Sequence, residues 1–262
     1  MTEFDRAFEL MDRLDERAAE RTIATPYGPV IAHERLHRVH DLNFLRAEKP
    51  EGATAKDLAR EAEQTQPEIL VHRRVNLRDQ RIAERLEPGF RELGWETQRF
   101  VLMAHRRKPD RLSDLSSVRE ATEEELRPIW AAGIRSEPFG KDEEVVQQLL
   151  EHKSSIREAI PTRYFAAVVN GEPASYCELY SEHGVGQIEA VMTLPAFRGR
   201  GLARAVVLQA REASREEGND FTFLVADADD WPQRLYEKLG FETVGRYARF
   251  LLKRRPAAPS GA

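Results

Sequence analysis

Apolar residues recur near the helical period at Phe4, Phe8, Met11 and Leu14, with charged residues between them. That spacing predicts an amphipathic helix over residues 3–20. Residues 21–45 mix β-branched residues with a Pro26-Tyr27-Gly28-Pro29 turn, which is the pattern of a hairpin. A loop containing Pro50 and Gly52 follows, then a helix over 53–64 that Thr54 is placed to cap. A strand over 68–75, a helix over 79–93 split or kinked at Pro88-Gly89, and a strand over 95–105 follow.

The polar stretch Arg106–Ser117, with Pro109 inside it, interrupts this pattern. The expected domains are therefore residues 1–110 and 111–255, with 256–262 a disordered tail. Beyond the break, Val118-Arg119 reads as a short strand. Thr122-Glu123-Glu124-Glu125 carries the signature of a capped helix start. A helix over 141–155 precedes strands over 163–169, 174–181 and 186–194, with turns at Asn170-Gly171 and near Gly184. A helix over 201–217, a strand over 221–226, a short helix over 231–239 stopped by Gly240, and a strand over 246–253 close the series.

A weak repeat links the halves. Leu93-Gly94-Trp95-Glu96-Thr97 matches Leu239-Gly240-Phe241-Glu242-Thr243, each after an apolar helix and before a strand. Two explanations stand side by side: a shared helix-stop device with an aromatic plug, or descent of both halves from one unit.

Hydrophobic residues make up 41% of the chain and charged residues 32%, enough apolar mass for a core under a wet surface. No apolar run approaches the roughly 18 residues of a membrane span, and the acidic N-terminal helix does not read as a signal peptide. The net charge is −5 and neither half is strongly basic, so nucleic acid is not expected as a partner. Cys177 is the single cysteine, which excludes an internal disulfide and points to a reducing cytoplasm. His33, His37 and His40 fall near helical spacing in a strand-like segment with no fourth ligand in view. No metal site is expected.

Pro195-Ala196-Phe197-Arg198-Gly199-Arg200-Gly201-Leu202-Ala203 lies between a strand and a helix. Its glycines let backbone approach a ligand closely. The helix start behind them offers unpaired N–H groups and about half a positive charge. Together they suit an anion, a pyrophosphate among them. The plainer alternative is an ordinary turn with solvated arginines.

The surroundings carry a resemblance. The segment is similar to the pyrophosphate motif of the GNAT superfamily of N-acetyltransferases, Arg/Gln-x-x-Gly-x-Gly/Ala, with Arg198, Gly201 and Ala203 at the matching positions. Ile188-Glu189-Ala190-Val191-Met192-Thr193-Leu194-Pro195 resembles that family's fourth strand. Asp229 to Glu242 resembles its second acyl-CoA-side motif, and the whole likeness spans roughly residues 115–254. It implies an α/β (mixed α+β) fold: a central, mostly antiparallel sheet, splayed between its fourth and fifth strands and flanked by helices. With a degenerate relative in residues 1–110, two such domains would stand in tandem.

The resemblance further implies acetyl-CoA as acyl donor and no metal. The arm of the donor would pair with backbone at Val191, Met192 and Thr193. Its pyrophosphate would rest on Arg198, Gly199, Arg200, Gly201, Leu202 and Ala203. Asp229 stands where many relatives carry an asparagine that touches the arm. Tyr236 matches the general-acid tyrosine, and Glu189 a frequent acidic position suited to a base. Glu178 on the neighbouring strand is a second candidate, because alternation can aim it at the same groove. Backbone N–H near Met192 is placed to polarise the thioester carbonyl. Cys177, mid-strand with no His nearby, reads as core.

The implied activity is transfer of an acetyl group to a primary amine of a small molecule or a protein, by a cytoplasmic monomer or homodimer. A non-catalytic acyl-CoA sensor, and transfer to a hydroxyl or thiol, remain as alternatives. In the first half, Phe90 falls opposite Tyr236 and lacks a hydroxyl. Glu48-Lys49-Pro50-Glu51-Gly52 carries acids where a pyrophosphate would need amides. That half is expected to bind no CoA and to close one wall of the acceptor site.

Overall fold

The computed structural model describes residues 1–254; the expected tail at 256–262 lies outside the described residues. In chain order the elements are α1 (Glu3–Ala18), β1 (Arg21–Thr25), β2 (Gly28–Ala32), β3 (Phe44–Ala47), α2 (Ala55–Thr65), β4 (His72–Leu77), α3 (Gln80–Glu92) and β5 (Glu96–His105). There follow β6 (Val118–Ala121), α4 (Glu123–Ser136), α5 (Glu143–Ala159), β7 (Thr162–Val169), β8 (Glu172–Glu182) and β9 (Val185–Thr193). Last come α6 (Leu202–Glu216), β10 (Phe221–Asp227), α7 (Pro232–Lys238) and β11 (Phe241–Lys253). This mixed α/β order is the one the hydrophobic pattern predicts except at β3: the expected hairpin over 21–45 closes with β2 at Ala32, and a third strand follows at Phe44–Ala47. β11 also begins at Phe241 rather than near 246.

The chain divides into two compact units. Unit 1 comprises Met1–Leu14 and Val101–Gly245; unit 2 comprises Asp15–Phe100 and the chain from Arg246 onward. The division falls inside α1, β5 and β11, not in the polar stretch 106–117. That stretch is bound within unit 1: the Arg106 and Arg107 amides donate to the Gly240 carbonyl, and the Asp110 amide to that of Lys238. Buried Arg204 on α6 holds it as well, through Ser113 Oγ at 2.7 Å, the Arg111 carbonyl at 2.8 Å and the Asp110 carboxylate. Low hydrophobicity signals a solvated segment, but one buried guanidinium with three acceptors fixes it.

In unit 2 the strand order is β1-β2-β3-β4-β11. The β3–β4 pair is parallel and the others antiparallel. The core joins Val30, Leu45, Val75 and Leu77 of the strands to Leu58 of α2, Leu86 and Phe90 of α3, and Trp95. Phe90 stacks on Phe250 of β11 with ring centroids 4.1 Å apart. α3 runs through Pro88 and Gly89 unbroken, because its buried face (Ala83, Leu86, Phe90) outweighs one lost hydrogen bond. Gly89 also lets α3 close on α2, since a Cβ there would lie 2.9 Å from the Ala55 methyl. The three histidines scatter: His33 accepts the Leu36 amide, and His40 stacks on His72.

Thr54 caps α2 reciprocally. Its hydroxyl accepts from the Asp57 amide at 3.2 Å, and its own amide donates to Asp57 Oδ2 at 3.0 Å. Thr54→Ala removes the hydroxyl half of this box and is expected to destabilise the protein by about 1 kcal/mol. Urea unfolding would then show a lower midpoint with an unchanged slope; an unchanged midpoint would show that the cap contributes nothing.

In unit 1 the order is β5-β10-β9-β8-β7-β6, with β5 contributing Val101–His105. β6 to β9 are antiparallel neighbours and β9–β10 is parallel, as right-handed crossover through α6 allows. Strand alternation builds two cores. Phe165, Cys177, Leu179 and Ile188 meet α6 through Val206, Val207 and Ala210. Tyr164, Ala166 and Tyr176, on the opposite face, meet Leu126 and Trp130 of α4 and Val146 and Leu150 of α5. Unit 2 is thus completed by a strand from the far end of the chain, the stretch of β11 beyond Gly245.

Candidate active site

β9 and β10 pair only from Val185–Phe221 to Ile188–Leu224. Beyond that point the parallel strands part. β9 continues to Thr193 with no β10 partner among the described residues. Residues 189–193 are half-buried, so their backbone on that side borders a gap in the sheet.

A bulge shapes the same stretch. Tyr176 opposes Met192 and Glu178 opposes Glu189, leaving Ala190 and Val191 against Cys177 alone. Ala190 takes φ +52°, a conformation a non-glycine residue rarely adopts. The extra residue shifts the alternation. Glu189 shares the face of Gln187, yet Ala190, Met192 and Leu194 also pack on the α4–α5 side, and Val191 packs toward α6. Nothing in Glu189-Ala190-Val191 announces a bulge, because the strained residue is not a glycine.

The strand–helix turn lies directly beyond. A single 3-10 turn, Pro195–Phe197, leads to Arg198, whose Nε donates to the Thr193 carbonyl at 3.2 Å. Gly199 and Gly201 both take φ +78°. Gly201 is the N-cap of α6 and supplies no side-chain cap. The N–H groups of residues 201–204 make no backbone hydrogen bond in this turn among the described residues, and the first helical bond at this end runs from Ala205 to Gly201. A Cβ on either glycine would meet no atom within 4 Å. Donors and open space therefore coincide, as an anion requires. Arg200 lies over the Phe197 ring at 5.2 Å. By contrast α2, the counterpart in unit 2, closes its own N-terminus with the Thr54–Asp57 box and places a carboxylate there.

Tyr236 sits on α7, buried in the core with Cys177, its ring edge-on to Phe241 at 6.3 Å. Burial raises its phenol above the ordinary value, and the Glu189 charge raises it further. Glu189 accepts from Gln187 Nε2 at 2.7 Å and from the Ala190 amide at 3.3 Å. Tyr236 and Glu189 are thus brought into one electrostatic neighbourhood. Glu178 is wholly buried and engaged: Lys153 Nζ lies 2.6 Å from Oε1, and the Tyr180 hydroxyl donates to Oε2 at 2.5 Å. Cys177 is fully buried, its thiol donating to the Val206 carbonyl at 3.3 Å, and burial pushes the thiol well up. Asp229 is exposed in the turn after β10, its amide bonded to Asp227 Oδ1 at 2.8 Å. Among the described residues no group of three or more His, Cys, Asp and Glu is arranged to hold a metal ion.

The reading of the sequence missed Lys153, Tyr180, Gln187 and Arg204. The polar alternation Tyr176-Glu178-Tyr180 was a usable signal, because a strand with one apolar face does not bury a carboxylate on the other without a partner.

This helix start, beside parallel strands that part, leaves amide donors unpaired at a strand–helix turn of an α/β domain. Residues 121–241 match the model of the Acetyltransferase (GNAT) family, and that segment belongs to it. A glucosamine 6-phosphate N-acetyltransferase from Trypanosoma brucei brucei is 37% identical over 65 residues, a stretch covering 25% of this chain and 43% of that enzyme. This chain therefore spans less than half of that relative. A conserved protein of unknown function from Staphylococcus epidermidis superposes with a TM-score of 0.67 at 17% identity, over 90% of this chain and 94% of that one. An N-acetyltransferase of the same superfamily from Kribbella flavida superposes at 0.58 and 17% identity, over 98% and 95%. At such identity the likeness is one of fold, and it extends through both halves of this chain.

Proposed function

We propose that the protein is an acetyl-CoA-dependent N-acetyltransferase acting on a primary amine of a small molecule or a protein. The observation that carries this reading is the uncapped start of α6, open and rich in amide donors, at the mouth of the β9–β10 gap. The amides of residues 199–203 hold the donor's pyrophosphate, with Arg198 and Arg200 adding charge. Backbone at Val191, Met192 and Thr193, free of a β10 partner, holds its arm, and a backbone N–H near Met192 polarises the carbonyl. When bound, the donor supplies the acyl group and a thiolate leaving group.

Tyr236 holds a proton at its phenol oxygen and gives it to the departing sulfur. Glu189 takes a proton from the acceptor ammonium, directly or through water. Glu178 is unsuited to that task, because Lys153 and Tyr180 already occupy both of its oxygens. In unit 2 the start of α2 is closed by the Thr54–Asp57 box and Phe90 carries no hydroxyl, which supports reading that unit as one without a donor site.

The test is CoA release from acetyl-CoA across a panel of amines, alcohols and thiols. Release that depends on an amine supports the proposal. Preference for an alcohol or thiol would move the acceptor class. Tight acetyl-CoA binding without release for any acceptor would support a sensor instead.

A further inference from the structure

One face of the unit 1 sheet carries a grid of polar side chains. Tyr164 of β7, Glu178 of β8 and Glu189 of β9 lie in one row, each the direct neighbour of the next. Tyr180 and Gln187 are paired in the adjacent row. Directly opposed strand residues hold their Cβ atoms about 5 Å apart, and like charges in that relation repel. Glu178 and Glu189 are such a pair. Glu178 carries the Lys153 ammonium at 2.6 Å, and Lys153 also lies over the Trp130 ring at 5.8 Å. Glu189 receives a neutral amide hydrogen from Gln187 and a backbone N–H from Ala190.

From this grid we infer that Lys153 and Glu178 are positioning residues that set the pH at which Glu189 works. The inference rests on the reading of Glu189 as the base. Lys153 neutralises the carboxylate opposite Glu189, so that Glu189 faces a balanced pair instead of a bare anion. Ionisable groups facing Glu189 include Glu178 and Tyr180 from β8, Lys153 from α5 and Tyr236 from α7. Both phenols are raised by burial and stay neutral through the working range. Of these groups, the Lys153–Glu178 pair therefore brings fixed charge to Glu189.

The signs follow directly. Without the Glu178 charge, Lys153 alone favours ionised Glu189. Without Lys153, the Glu178 anion favours protonated Glu189. Activity that needs the carboxylate would then fail at a higher pH.

The experiment is the pH dependence of kcat/KM, read beside a carbon-13 NMR titration of the Glu189 carboxyl, in three variants of the full chain. In Glu178→Gln the acid limb is expected to move down by about one pH unit, and in Lys153→Met up by about as much. In Lys153→Met/Glu178→Gln it returns close to the parent position. Lys153→Met leaves a buried unpaired carboxylate and is the variant most apt to unfold. The other two then carry the test, since a limb that moves down and is restored supports the inference by itself. Single variants that lower activity with unmoved limbs, or that move them the same way, would overturn it. Glu189→Gln separates this from failure of the underlying reading. If Glu189→Gln keeps the acid limb, Glu189 is not the base, and the NMR midpoints alone decide whether the pair governs its charge.

Discussion

Replacing Tyr236 by phenylalanine is expected to lower kcat by about 10²-fold, the low end of what a positioned acid contributes. Affinity for CoA should stay within a small factor, because the change removes one oxygen from a side chain that otherwise packs on Phe241 and the core. A raised phenol pKa is at first sight a poor property for an acid. The site resolves this. Cys177, buried beside Tyr236, shows what the same surroundings do to a sulfur, since burial there pushes a thiol well up. A thiolate released in this pocket is subject to the same desolvation and binds a proton more avidly than in water. Donor and acceptor are raised together by the same desolvation, so burial by itself does not set the phenol against the thiolate. Stopped-flow measurement of thiol release, with CoA titration by calorimetry, checks both halves of the statement. Undiminished kcat would remove Tyr236 from the chemistry.

The second large effect is expected at Gly201. Its φ of +78° and the empty space around it mean that a side chain there meets strain but no collision. Aspartate tolerates this region better than most residues, and it is also a good N-cap. Gly201→Asp should therefore fold with a melting temperature close to the parent. It nevertheless sets a carboxylate among the unpaired N–H groups at the start of α6, the proposed pyrophosphate site, and supplies an internal acceptor for some of them. The KM for acetyl-CoA is expected to rise by about 10²-fold, the scale of roughly 3 kcal/mol of lost charge-assisted hydrogen bonding. Unchanged KM in a folded variant would place the donor elsewhere.

Much of this was legible in the residues. Most of the order of helices and strands follows from apolar period, and the open turn before α6 from Gly199 and Gly201 between a strand and a helix. Leu93-Gly94 and Leu239-Gly240 prove to be the same helix stop, with Gly94 at φ +80° and Gly240 at +95°. The bulge at Ala190 was not legible, because it is selected by the pairing of β8 with β9 and not by local propensity. Nor was the partner of Glu178. Lys153 reads as a surface lysine on a charged helix, and only the packing of α5 over the sheet brings it to a carboxylate 25 residues away. The helix through Pro88 and Gly89 departs from its sequence for a similar reason: burial of Phe90 decides where local preference is weak.

The return of β11 to unit 2 bears on how the chain is made. A ribosome delivers residues in order, and unit 1 has all its parts once Gly245 has emerged. Unit 2 has most of its residues far earlier, yet β4 keeps a bare edge until the last strand arrives to pair with it from Ala248 to Lys253. The half made first is therefore finished last. During synthesis its open edge is the stretch most exposed to mispairing with other nascent chains. A stop codon placed just after residue 245 would leave unit 1, with the turn before α6, encoded in full and still yield a protein prone to aggregate.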